Sequence, residues 1–599
     1  MFDIQSLYNN IQKYAAKNSV FAELESEQVS YREFLMLVQK TLYLLQSHHL
    51  NLEERIIIVS KNDKINIVLF VSCLLAGICP VILSAETKLE KLLFFIQQTN
   101  ASLCFIDNDI DINKLAPITQ VIAISNNMKK AFIHKILGKK QLLEGTYPAI
   151  LDTATAINPV QSISPNQLAY ILYTSGSTAN PKGVMITHKN LFAHLSTLQT
   201  VFGYDNESII FNNLPLSHAD GMIHGPLIAL LCGAKLVRTE SFTIQSIDPF
   251  LNIISKQKVS HFIATPTLLN IINKYASYTD YFNIPNFKML ISTASRLDKY
   301  LWSTFQTRFS VKIYNVYGLT ETVNGGIFCG PDISTYKIGS IGKPVDMRSR
   351  IIDEFGSDVK VGEIGELLLQ GDNVTPGYFK NQIATQFAFK DQWFYTGDLA
   401  KIDEDGFIEI VGRKKEAIVS AGFLIYPDEI VEVLKSHPLV KDVAVIGFQN
   451  EIGEEIPIAF LELLSSINEA ELSQYCNQYL DNTKIPRHFL FVDSIPKGAV
   501  GKPILSELQV MANEKFTAQK NLQISEEHLL TIASKVFNVP KDSLTLHSGI
   551  SEIFSWDSLG HMSLIQAVEH AFNLRFTGRD VMQFTTLRDV YHGAIKSMG

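Results

Sequence analysis

Apolar runs and amphipathic stretches alternate along the first part of this chain, up to about residue 410. The runs have the length of buried strands, and the stretches between them place apolar residues at helical spacing. This alternation predicts a layered α/β body whose sheets are largely parallel. The predicted strands are RIIIVS, CPVIL, SLCFID, QVIAIS, YILYTS, GAKLV, HFIAT, KMLIST and KIYNVYG.

The pattern changes twice farther along the chain. Polar turns such as DEFGSD separate RIIDE from GELLLQG, which predicts antiparallel strands between Ile351 and Gln370. A helix at PDEIVEVLKSH and strands at DVAVIGF and IAFLELL predict a small α+β subdomain, and the last seventy-five residues predict short helices. We expect a large α/β body at 1–411, the α+β subdomain at 412–510, a polar linker at 511–524 and an all-α, four-helix domain at 525–599.

Composition excludes several classes of function. The 599 residues are too many for one hydrophobic core, and 46% hydrophobic with 19% charged residues is typical of globular domains. A net charge of -8 without any basic run argues against a nucleic-acid partner. Six scattered cysteines without a CxxC pair, and an N-terminus without a cationic-then-apolar signal, predict a cytoplasmic protein.

The segment from Ile67 to Leu83 is apolar apart from Ser72 and approaches the length of a membrane-spanning helix. Gly77 and Pro80 interrupt it near its end. We therefore interpret it as a buried helix that turns into a strand, and we expect no stable membrane insertion.

The string YTSGSTANPKG, from Tyr173 to Gly183, concentrates hydroxyls, glycines and a lysine in one loop. Glycine lets backbone N–H groups approach an anion, Lys182 adds a positive charge and Pro181 stiffens the loop. It follows the predicted strand LAYILY and precedes a predicted helix opened by Thr187. Most loops of this composition are plain connections, but the PKG ending favours ATP phosphates, and the absence of GxxxxGK[ST] disfavours a P-loop NTPase. The candidate ligands in the loop are Thr174, Ser175, Gly176, Ser177 and Thr178.

Five motifs in this order resemble the adenylate-forming enzymes, which include acyl-CoA synthetases, luciferases and the adenylation domains of peptide synthetases. The resemblance spans roughly residues 10 to 508. It implies an acid–thiol ligase in which a carboxylate attacks the α-phosphorus of ATP with Mg²⁺ present, so that cationic and N–H groups must offset several negative charges. The motifs are the loop just described, YGLTET at 317–322, YTGDLA at 395–400, GRKKE at 412–416 and GK at 501–502.

The resemblance implies roles for residues around the phosphates. Lys502 matches the lysine that bridges the carboxylate and the α-phosphate, Thr320 matches a contact to that phosphate, and Lys182 is a third catalytic candidate. Glu321 matches the magnesium ligand, since a hard carboxylate oxygen suits a hard cation. Thr174 is a second candidate contact of the metal.

Other matched residues surround the adenosine moiety or mark a hinge. Lys415 matches the hinge about which the small subdomain, the mobile lid of the family, rotates between two half-reactions. A core tyrosine, a turn aspartate and a turn lysine are the ordinary alternatives for Tyr317, Asp398 and Lys502. By resemblance the adenosine contacts are Tyr317 and Gly318 on one side of adenine, Thr293, Ala294 and Ser295 on the other, and Asp398 with Arg413 at the ribose.

The residues near LPLSHADG bear on the acid that is activated. Leu216 stands where amino-acid-activating relatives place an aspartate for the substrate ammonium, which implies a carboxylic acid that is not an α-amino acid. The string resembles that of aryl and acyl ligases, which implies an acyl pocket near His218 and Thr322, although His218 is as well explained as a structural residue. Asp220 in such a pocket needs a donor or water, which predicts a polar group on the acid.

Two positions depart from the family pattern. Ala179 replaces a glycine of the phosphate loop, and Val419 stands where luciferase-like members often carry lysine. Neither removes a group that the first half-reaction needs.

Near the end of the chain, WDSLGH at 556–561 opens a predicted helix with Asp557 as its N-cap. Alone it is an ordinary helix start, but behind an adenylating body it resembles acyl and peptidyl carrier proteins. The resemblance implies 4′-phosphopantetheine on Ser558, attached by a phosphopantetheinyl transferase, at a helix start whose N–H groups and dipole favour a phosphodiester. The positions at helical spacing are Leu559, Met562, Ile565, Val568, Ala571 and Phe572.

Together these features predict a self-loading ligase that forms acyl-AMP and transfers the acyl group to its own carrier, ahead of a downstream acyl-accepting synthase in fatty-acid or secondary-metabolite biosynthesis. One alternative is an acyl-CoA synthetase that uses free coenzyme A. Another is a noncatalytic nucleotide-binding partner that presents the carrier, against which Lys502, Glu321 and Asp398 argue.

Overall fold

We describe a computed structural model of the chain, which forms two compact units, Met1–Leu505 and Ser506–Gly599. Within the described part of the chain, no helix is long and apolar enough to cross a bilayer. The structure describes residues 2–25, 27–107, 115, 118–124, 146–159, 162–174, 181–239, 246–420, 423–449, 455–481, 484–498, 501–520, 525–550, 552–553, 556, 558–572 and 574–598.

The largest sheet of the first unit has nine strands, and its centre is parallel. Antiparallel strands close both edges. Central strands such as His261–Ala264 are buried along their whole length, as expected for a sheet covered by helices on both faces. The order across the sheet is Lys343–Pro344, Ile327–Cys329, Ile313–Tyr317, Met289–Ser292, His261–Ala264, Ile209–Asn212, Lys235–Arg238, Val20–Leu24 and Glu27–Ser30.

A second sheet of six strands is parallel except for its last pair. The segment that approached membrane-span length is the buried helix Asp63–Ala76, which Gly77 ends at φ 67° before the strand Cys79–Leu83 begins. The interpretation as a helix that turns into a strand is therefore confirmed. The order across the sheet is Gln120–Ala123, Leu103–Ile106, Arg55–Val59, Cys79–Leu83, Leu168–Thr174 and Lys182–Thr187.

Helices pack on these two sheets, and their apolar residues join those of the strands in several hydrophobic cores. Polar side chains cap several of them, such as Asp3, Ser30 and Asn62. All six cysteines are free and buried. The α-helices of this body are Ile4–Ala16, Tyr31–Ser47, Asp63–Ala76, Leu89–Thr99, Tyr147–Thr153, His188–Phe202, Ala219–Met222, Ile228–Cys232, Ile247–Lys256, Pro266–Tyr275, Lys299–Phe309 and Gln382–Ala388, and Ile223–Leu227 is a π-helical turn.

The antiparallel strands predicted after residue 350 are present and extend into a five-stranded sheet. The α+β subdomain follows with its own core. The sheet contains Met347–Ile352, Gly365–Gly371, Phe389–Lys390, Trp393–Ile402 and Ile408–Arg413. The subdomain contains the strands Ile418–Ser420, Phe423–Ile425, Val440–Gln449, Glu455–Leu463 and His488–Phe491 and the helices Pro427–Lys435 and Glu469–Cys476.

The second unit is helical, and its buried apolar residues between Leu529 and Ala594 form one hydrophobic core. The helix Leu505–Lys520 runs through most of the predicted linker, 511–524. The helix predicted near the end of the chain is present, and on it Met562 is 47% exposed and Ala571 is exposed. The α-helices that follow are Glu526–Phe537, Ser558–Phe572, Gly578–Gln583 and Leu587–Met598, with buried Leu564, Ile565, Val568 and Phe572.

Candidate active site

The predicted phosphate loop connects two antiparallel strands. Thr174 and Lys182 are paired directly across the two strands, at the end where the loop connects them. The predicted helix does begin after Thr187, whose side chain caps it, but the strand Lys182–Thr187 separates that helix from the loop. The predicted strand and the predicted helix are thus both present, but the strand between the loop and the helix, which pairs with the strand before the loop, was not predicted. The candidates Ser175, Gly176, Ser177 and Thr178, like Ala179, lie outside the described residues.

The Glu321 carboxylate lies in a short 3-10 turn, Thr320–Thr322, after the strand that ends at Tyr317. Glu321 is 9% exposed, and its Oε1 accepts a hydrogen bond of 2.8 Å from the hydroxyl of Tyr378. The ring of Tyr378 also carries the ammonium of Lys182, with Nζ 4.7 Å from the ring centroid. Tyr378 therefore joins the candidate phosphate ligand to the candidate magnesium ligand.

Tyr317, Asp398 and Arg413 form a second group. The hydroxyl of Tyr317 donates to Asp398 Oδ2 at 2.5 Å, and Arg413 Nε lies 2.5 Å from Asp398 Oδ1. Asp398 and Arg413 are paired across neighbouring strands, so the sheet itself holds this contact. Burial raises the pKa of Asp398, while Arg413 and Tyr317 favour its charged form. A polar cluster therefore stands where the resemblance places the ribose.

Asp220 is 1% exposed, and both of its oxygens accept hydrogen bonds from the protein. Thr293 Oγ1 donates to Oδ1 and Asn324 Nδ2 donates to Oδ2, each at 2.6 Å. Asp220 thus finds within the fold the donors that a buried carboxylate requires. The contact also fixes Thr293, one of the residues expected beside adenine.

Ala294 adopts φ 73°, in the left-handed region that glycine occupies without strain. Ser295, the next residue, is half-buried. Gly318 lies against the loop backbone, because a Cβ there would meet Gly325 N at 2.1 Å. Gly318 thus contacts the loop that follows Glu321 directly. Thr293 is connected to that loop through Asp220, which accepts hydrogen bonds from both Thr293 and Asn324.

Two of the acyl-pocket candidates, Leu216 and His218, lie close to Asp220 along the chain. Leu216 is buried and His218 is half-buried. Burial lowers the pKa of His218, Asp220 raises it and Lys502 lowers it, so His218 senses both charges. The buried hydroxyl of Thr322 bonds Leu319 within its own turn.

Two buried histidines lie behind this region. His194 Nε2 and His224 Nε2 are 3.3 Å apart. Burial lowers the pKa of both rings, which keeps this buried histidine pair neutral near pH 7. The charge of Asp220 opposes this effect of burial on the pKa of His224 without reversing it. The pair therefore lies within electrostatic reach of that carboxylate.

Lys502 follows a tight turn of the small subdomain. Gly501 has φ 79° and lies against the body, since a Cβ there would be 2.2 Å from Thr267 Oγ1. Lys502 is exposed as a whole, but neighbouring protein atoms desolvate its ammonium and lower its pKa, as does Arg413. Asp398, Asp220 and Glu416 act in the opposite direction. Lys502 is therefore within electrostatic reach of Asp398, Arg413 and Asp220.

Surface ion pairs connect the body to the small subdomain in the present orientation. Arg296 of the body lies 3.2 Å from Asp428 and 3.1 Å from Glu432, both on the helix Pro427–Lys435. Lys415, the hinge candidate, is exposed. These surface pairs stabilise the orientation only weakly.

Sequence reasoning missed Tyr378 and Asn324. Asn324 lies two residues beyond YGLTET, so its proximity to that motif was a usable signal. Tyr378 lies in TPGYFKN, far along the chain from both of its partners, and only the tertiary fold reveals its contacts. Ser558 begins the helix Ser558–Phe572 of the second unit, and Asp557 lies outside the described residues.

Comparisons with known proteins agree with this arrangement of domains. Residues 7–379 match the family model of AMP-binding enzymes, residues 429–502 that of the AMP-binding enzyme C-terminal domain, and residues 527–592 that of the phosphopantetheine attachment site. The 2-succinylbenzoate–CoA ligase of Bacillus licheniformis is 32% identical over 58% of this chain and 70% of its own length. That of Bacillus subtilis (strain 168) is 25% identical over 81% of this chain and 93% of its own length. The solved O-succinylbenzoate coenzyme A synthetase of B. subtilis, in complex with ATP and magnesium ion, has a TM-score of 0.71 at 23% identity over 84% of this chain and 99% of that chain.

Proposed function

Because this chain belongs to the family of AMP-binding enzymes, we propose that it is a ligase that loads its own carrier domain. A carboxylate attacks the α-phosphorus of ATP to form acyl-AMP and release pyrophosphate. The acyl group then passes to a thiol attached to Ser558, and AMP leaves. The observation that carries this proposal is the presence of both AMP-binding domains and a phosphopantetheine attachment domain, in that order, in one chain.

The first cluster suits the triphosphate. Lys182 and Thr174 flank the mouth of the phosphate-loop hairpin, where a cation and a hydroxyl favour bound anions. Thr320, in the same turn as Glu321, is the α-phosphate contact that we propose. Glu321 is a hard ligand whose Oε2 remains free of the Tyr378 hydrogen bond. No group of three or more His, Cys, Asp or Glu suited to a metal occurs among the described residues.

That donor set fits Mg²⁺ bound mainly by phosphate oxygens, because magnesium in such sites takes only one or two protein carboxylates. Bound there, the ion neutralises phosphate charge. This chain's own contribution is to hold the Glu321 carboxylate and the Lys182 ammonium at that place.

The second cluster suits the nucleoside. We propose that adenine lies between Tyr317–Gly318 and the run Thr293–Ser295, and that the ribose hydroxyls meet Asp398 and Arg413. A carboxylate accepts hydrogen bonds from both hydroxyls of a diol. The sheet pairing of Asp398 with Arg413 places these groups before the nucleotide arrives, so binding requires little rearrangement.

Lys502 is the cation that we assign to the reacting centre. Two anions, the acid and the α-phosphate, must approach each other there, and a positioned ammonium lowers the cost of doing so. The charges of Asp398 and Asp220 already act on Lys502 in this orientation. The small subdomain, residues 412–510, then turns about Lys415 for the second half-reaction.

The acid lies near Leu216, His218 and Thr322 in this proposal, and it is not an α-amino acid. Leu216 is buried and apolar, and Asp220 already accepts hydrogen bonds from Thr293 and Asn324. The protein itself therefore supplies the donors that the Asp220 carboxylate needs, and the predicted polar group on the acid is not required. The substrate class is a carboxylic acid recognised chiefly by apolar contact.

Ser558 fits the attachment of 4′-phosphopantetheine. It opens a helix of 15 residues, and the first turn of a helix has free N–H groups that favour a phosphate. The attached group supplies a thiol. Having donor and acceptor on one chain raises the effective concentration of that thiol to roughly millimolar. A phosphopantetheinyl transferase and a downstream acyl-accepting synthase are the partners that this function requires.

The test is intact mass spectrometry of the phosphopantetheinylated full chain after incubation with ATP and a panel of carboxylic acids. One acid is expected to add its acyl mass to the chain and to support pyrophosphate exchange. Ser558→Ala is expected to abolish the mass shift and keep the exchange. Ser563→Ala, an exposed serine of the same helix, is the matched control and is expected to load normally.

The relatives named above are CoA ligases, so free coenzyme A is the alternative acceptor. Rapid acyl-CoA formation without any acyl mass on the chain would favour that alternative. If no acid supports pyrophosphate exchange, the chain is instead a noncatalytic nucleotide-binding partner that presents the carrier.

A further inference from the structure

One side chain, Tyr378, contacts two residues that the proposed function places at the triphosphate. Its hydroxyl donates to Glu321 Oε1 at 2.8 Å. The ammonium of Lys182 lies over its ring, 4.7 Å from the centroid. Tyr378 is 6% exposed, so both contacts are made largely out of water, where they are stronger than at a surface.

The backbone around Tyr378 is fixed on two sides. Phe379 N donates to Gly183 O at 2.7 Å, which ties this segment to the strand that begins with Lys182. Thr375 N donates to the backbone oxygen of Glu321 at 2.8 Å. The two site segments are thus joined through the segment that carries Tyr378, and the position of its ring is set by the fold.

The phenol is the donor in its contact with Glu321. A phenol is protonated near neutral pH, and an ionised carboxylate only accepts hydrogen bonds. The Tyr378 hydroxyl therefore donates its hydrogen bond to Glu321 Oε1. One carboxylate oxygen is held by this bond, while Oε2 takes no part in it and has its direction fixed by it.

The ring also separates opposite charges. Lys182 rests on an aromatic face, and Glu321 rests on the hydroxyl at the other end of the same side chain. In a direct ion pair, Lys182 and Glu321 would bind each other, so the ammonium would not be available to the phosphates and the carboxylate would not be available to the metal. A neutral aromatic spacer keeps both groups near the site without such a pair.

We propose that Tyr378 is a positioning residue that orients the Glu321 carboxylate for the metal and holds Lys182 apart from it. The inference rests on the proposed function, because it takes Glu321 and Lys182 as ligands of the magnesium–ATP complex. Tyr378 itself touches neither substrate nor metal in this role.

The test measures ATP binding to the full chain by calorimetry, without acid, over a series of Mg²⁺ concentrations and once with chelator. In Tyr378→Phe the ring stays and the hydroxyl is lost. We expect the Mg²⁺ concentration for half-maximal binding enhancement to rise about tenfold, since a hydrogen bond to a charged group is lost. Metal-free affinity is expected to stay unchanged, because Lys182 keeps its ring.

Tyr378→Leu removes both contacts. Lys182 is then able to approach Glu321, so we expect metal-free ATP affinity to fall as well, by about threefold to tenfold. Mn²⁺ binding in the presence of ATP, followed by electron paramagnetic resonance, gives a second readout that is independent of turnover. Circular dichroism checks that each variant is folded, and the Phe variant decides the metal effect even if the Leu variant does not fold.

Tyr204→Phe is the matched control. Tyr204 is also buried, its hydroxyl has no hydrogen-bond partner among the described residues, and its ring packs on Phe202 and His261. We expect no change in metal dependence there. An equal change in Tyr204→Phe would overturn the proposal, because loss of a buried hydroxyl that contacts neither Glu321 nor Lys182 would then have the same effect.

Glu321→Gln separates the two levels of the reasoning. If it raises the Mg²⁺ requirement and Tyr378→Phe does not, the positioning role is refuted and the proposed function stands. If neither variant changes the Mg²⁺ requirement, the metal role of Glu321 is refuted, and the inference about Tyr378 fails with it.

Discussion

Removal of the Asp220 carboxylate gives a sharp test of how the site is held together. Thr293 and Asn324 each donate one hydrogen bond of 2.6 Å to it. In Asp220→Ala both buried donors lose their acceptor, and each unpaired donor costs about 1–3 kcal/mol. The expected loss of unfolding free energy is therefore about 2–6 kcal/mol, before any cost of the cavity.

Asp220→Asn is expected to cost far less, about 2 kcal/mol or below, because neutral hydrogen bonds replace charge-assisted ones. The new carbonyl oxygen accepts from Thr293. The new amide faces Asn324, whose Oδ1 is buried without a partner among the described residues. A flip of the Asn324 amide turns that oxygen toward the new N–H and restores the second bond.

The assay is urea unfolding of the full chain followed by tryptophan fluorescence in a Trp556→Phe background. That substitution leaves Trp302 and Trp393, both in Met1–Leu505, as the reporters. Asn324→Ala is expected to cost less in the Asp220→Ala background than alone, since the two residues share one bond.

Two results would refute the reasoning. Equal destabilisation by Asp220→Asn and Asp220→Ala would mean that the two hydrogen bonds do not hold the carboxylate. A changed order of preference among acids in pyrophosphate exchange with Asp220→Asn would mean that Asp220 faces the substrate rather than the protein.

Further predictions concern pH and the orientation of the small subdomain. Because desolvation lowers the pKa of Lys502 below its ordinary 10.5, kcat/KM for adenylation should fall at alkaline pH with an inflection below that value, and Lys502→Arg should abolish the inflection. Because the pKa values of the buried histidine pair are lowered in the folded state, both rings are protonated first in the unfolded chain as the pH falls. Stability in urea should therefore fall as pH drops below about 6.5. Gly501→Ala should slow adenylation roughly tenfold, since a left-handed residue costs about 1–2 kcal/mol, and the added Thr267→Ala should relieve only the steric part. Arg296→Ala should raise the KM for ATP less than about fivefold without lowering the melting temperature, because exposed pairs contribute about 0–1 kcal/mol.

Much of the fold followed from local patterns. Buried strands such as His261–Ala264 are continuous apolar runs, and caps such as Thr187 mark helix starts. The comparisons and the structure confirm the family, the α/β fold and the acid–thiol ligase class. Buried strands and helix caps depend on residues that are neighbours in the chain, so a single sequence is enough to indicate them.

Other features depend on context. The strand Lys182–Thr187 was missed because its short apolar run sits between two stronger signals, the loop and the capped helix. The helix Leu505–Lys520 was missed because its polar residues give little periodicity although many favour helix. The roles of the site residues stay predictions, and their hydrogen-bond partners were invisible because Tyr378 and Glu321 are 57 residues apart.

The strand that ends at Arg413 has a consequence for how the intermediate is handled. Arg413 is fixed by pairing with Asp398, and Lys414 is tied to the same sheet through its backbone bond to Gly397 and its ion pair with Glu366. In the proposed function, rotation of the small subdomain at Lys415 begins just beyond these anchors. Asp398 and Arg413 then stay at the ribose of the bound adenylate during the rotation, which would keep the reactive mixed anhydride from dissociating and being hydrolysed between the two half-reactions.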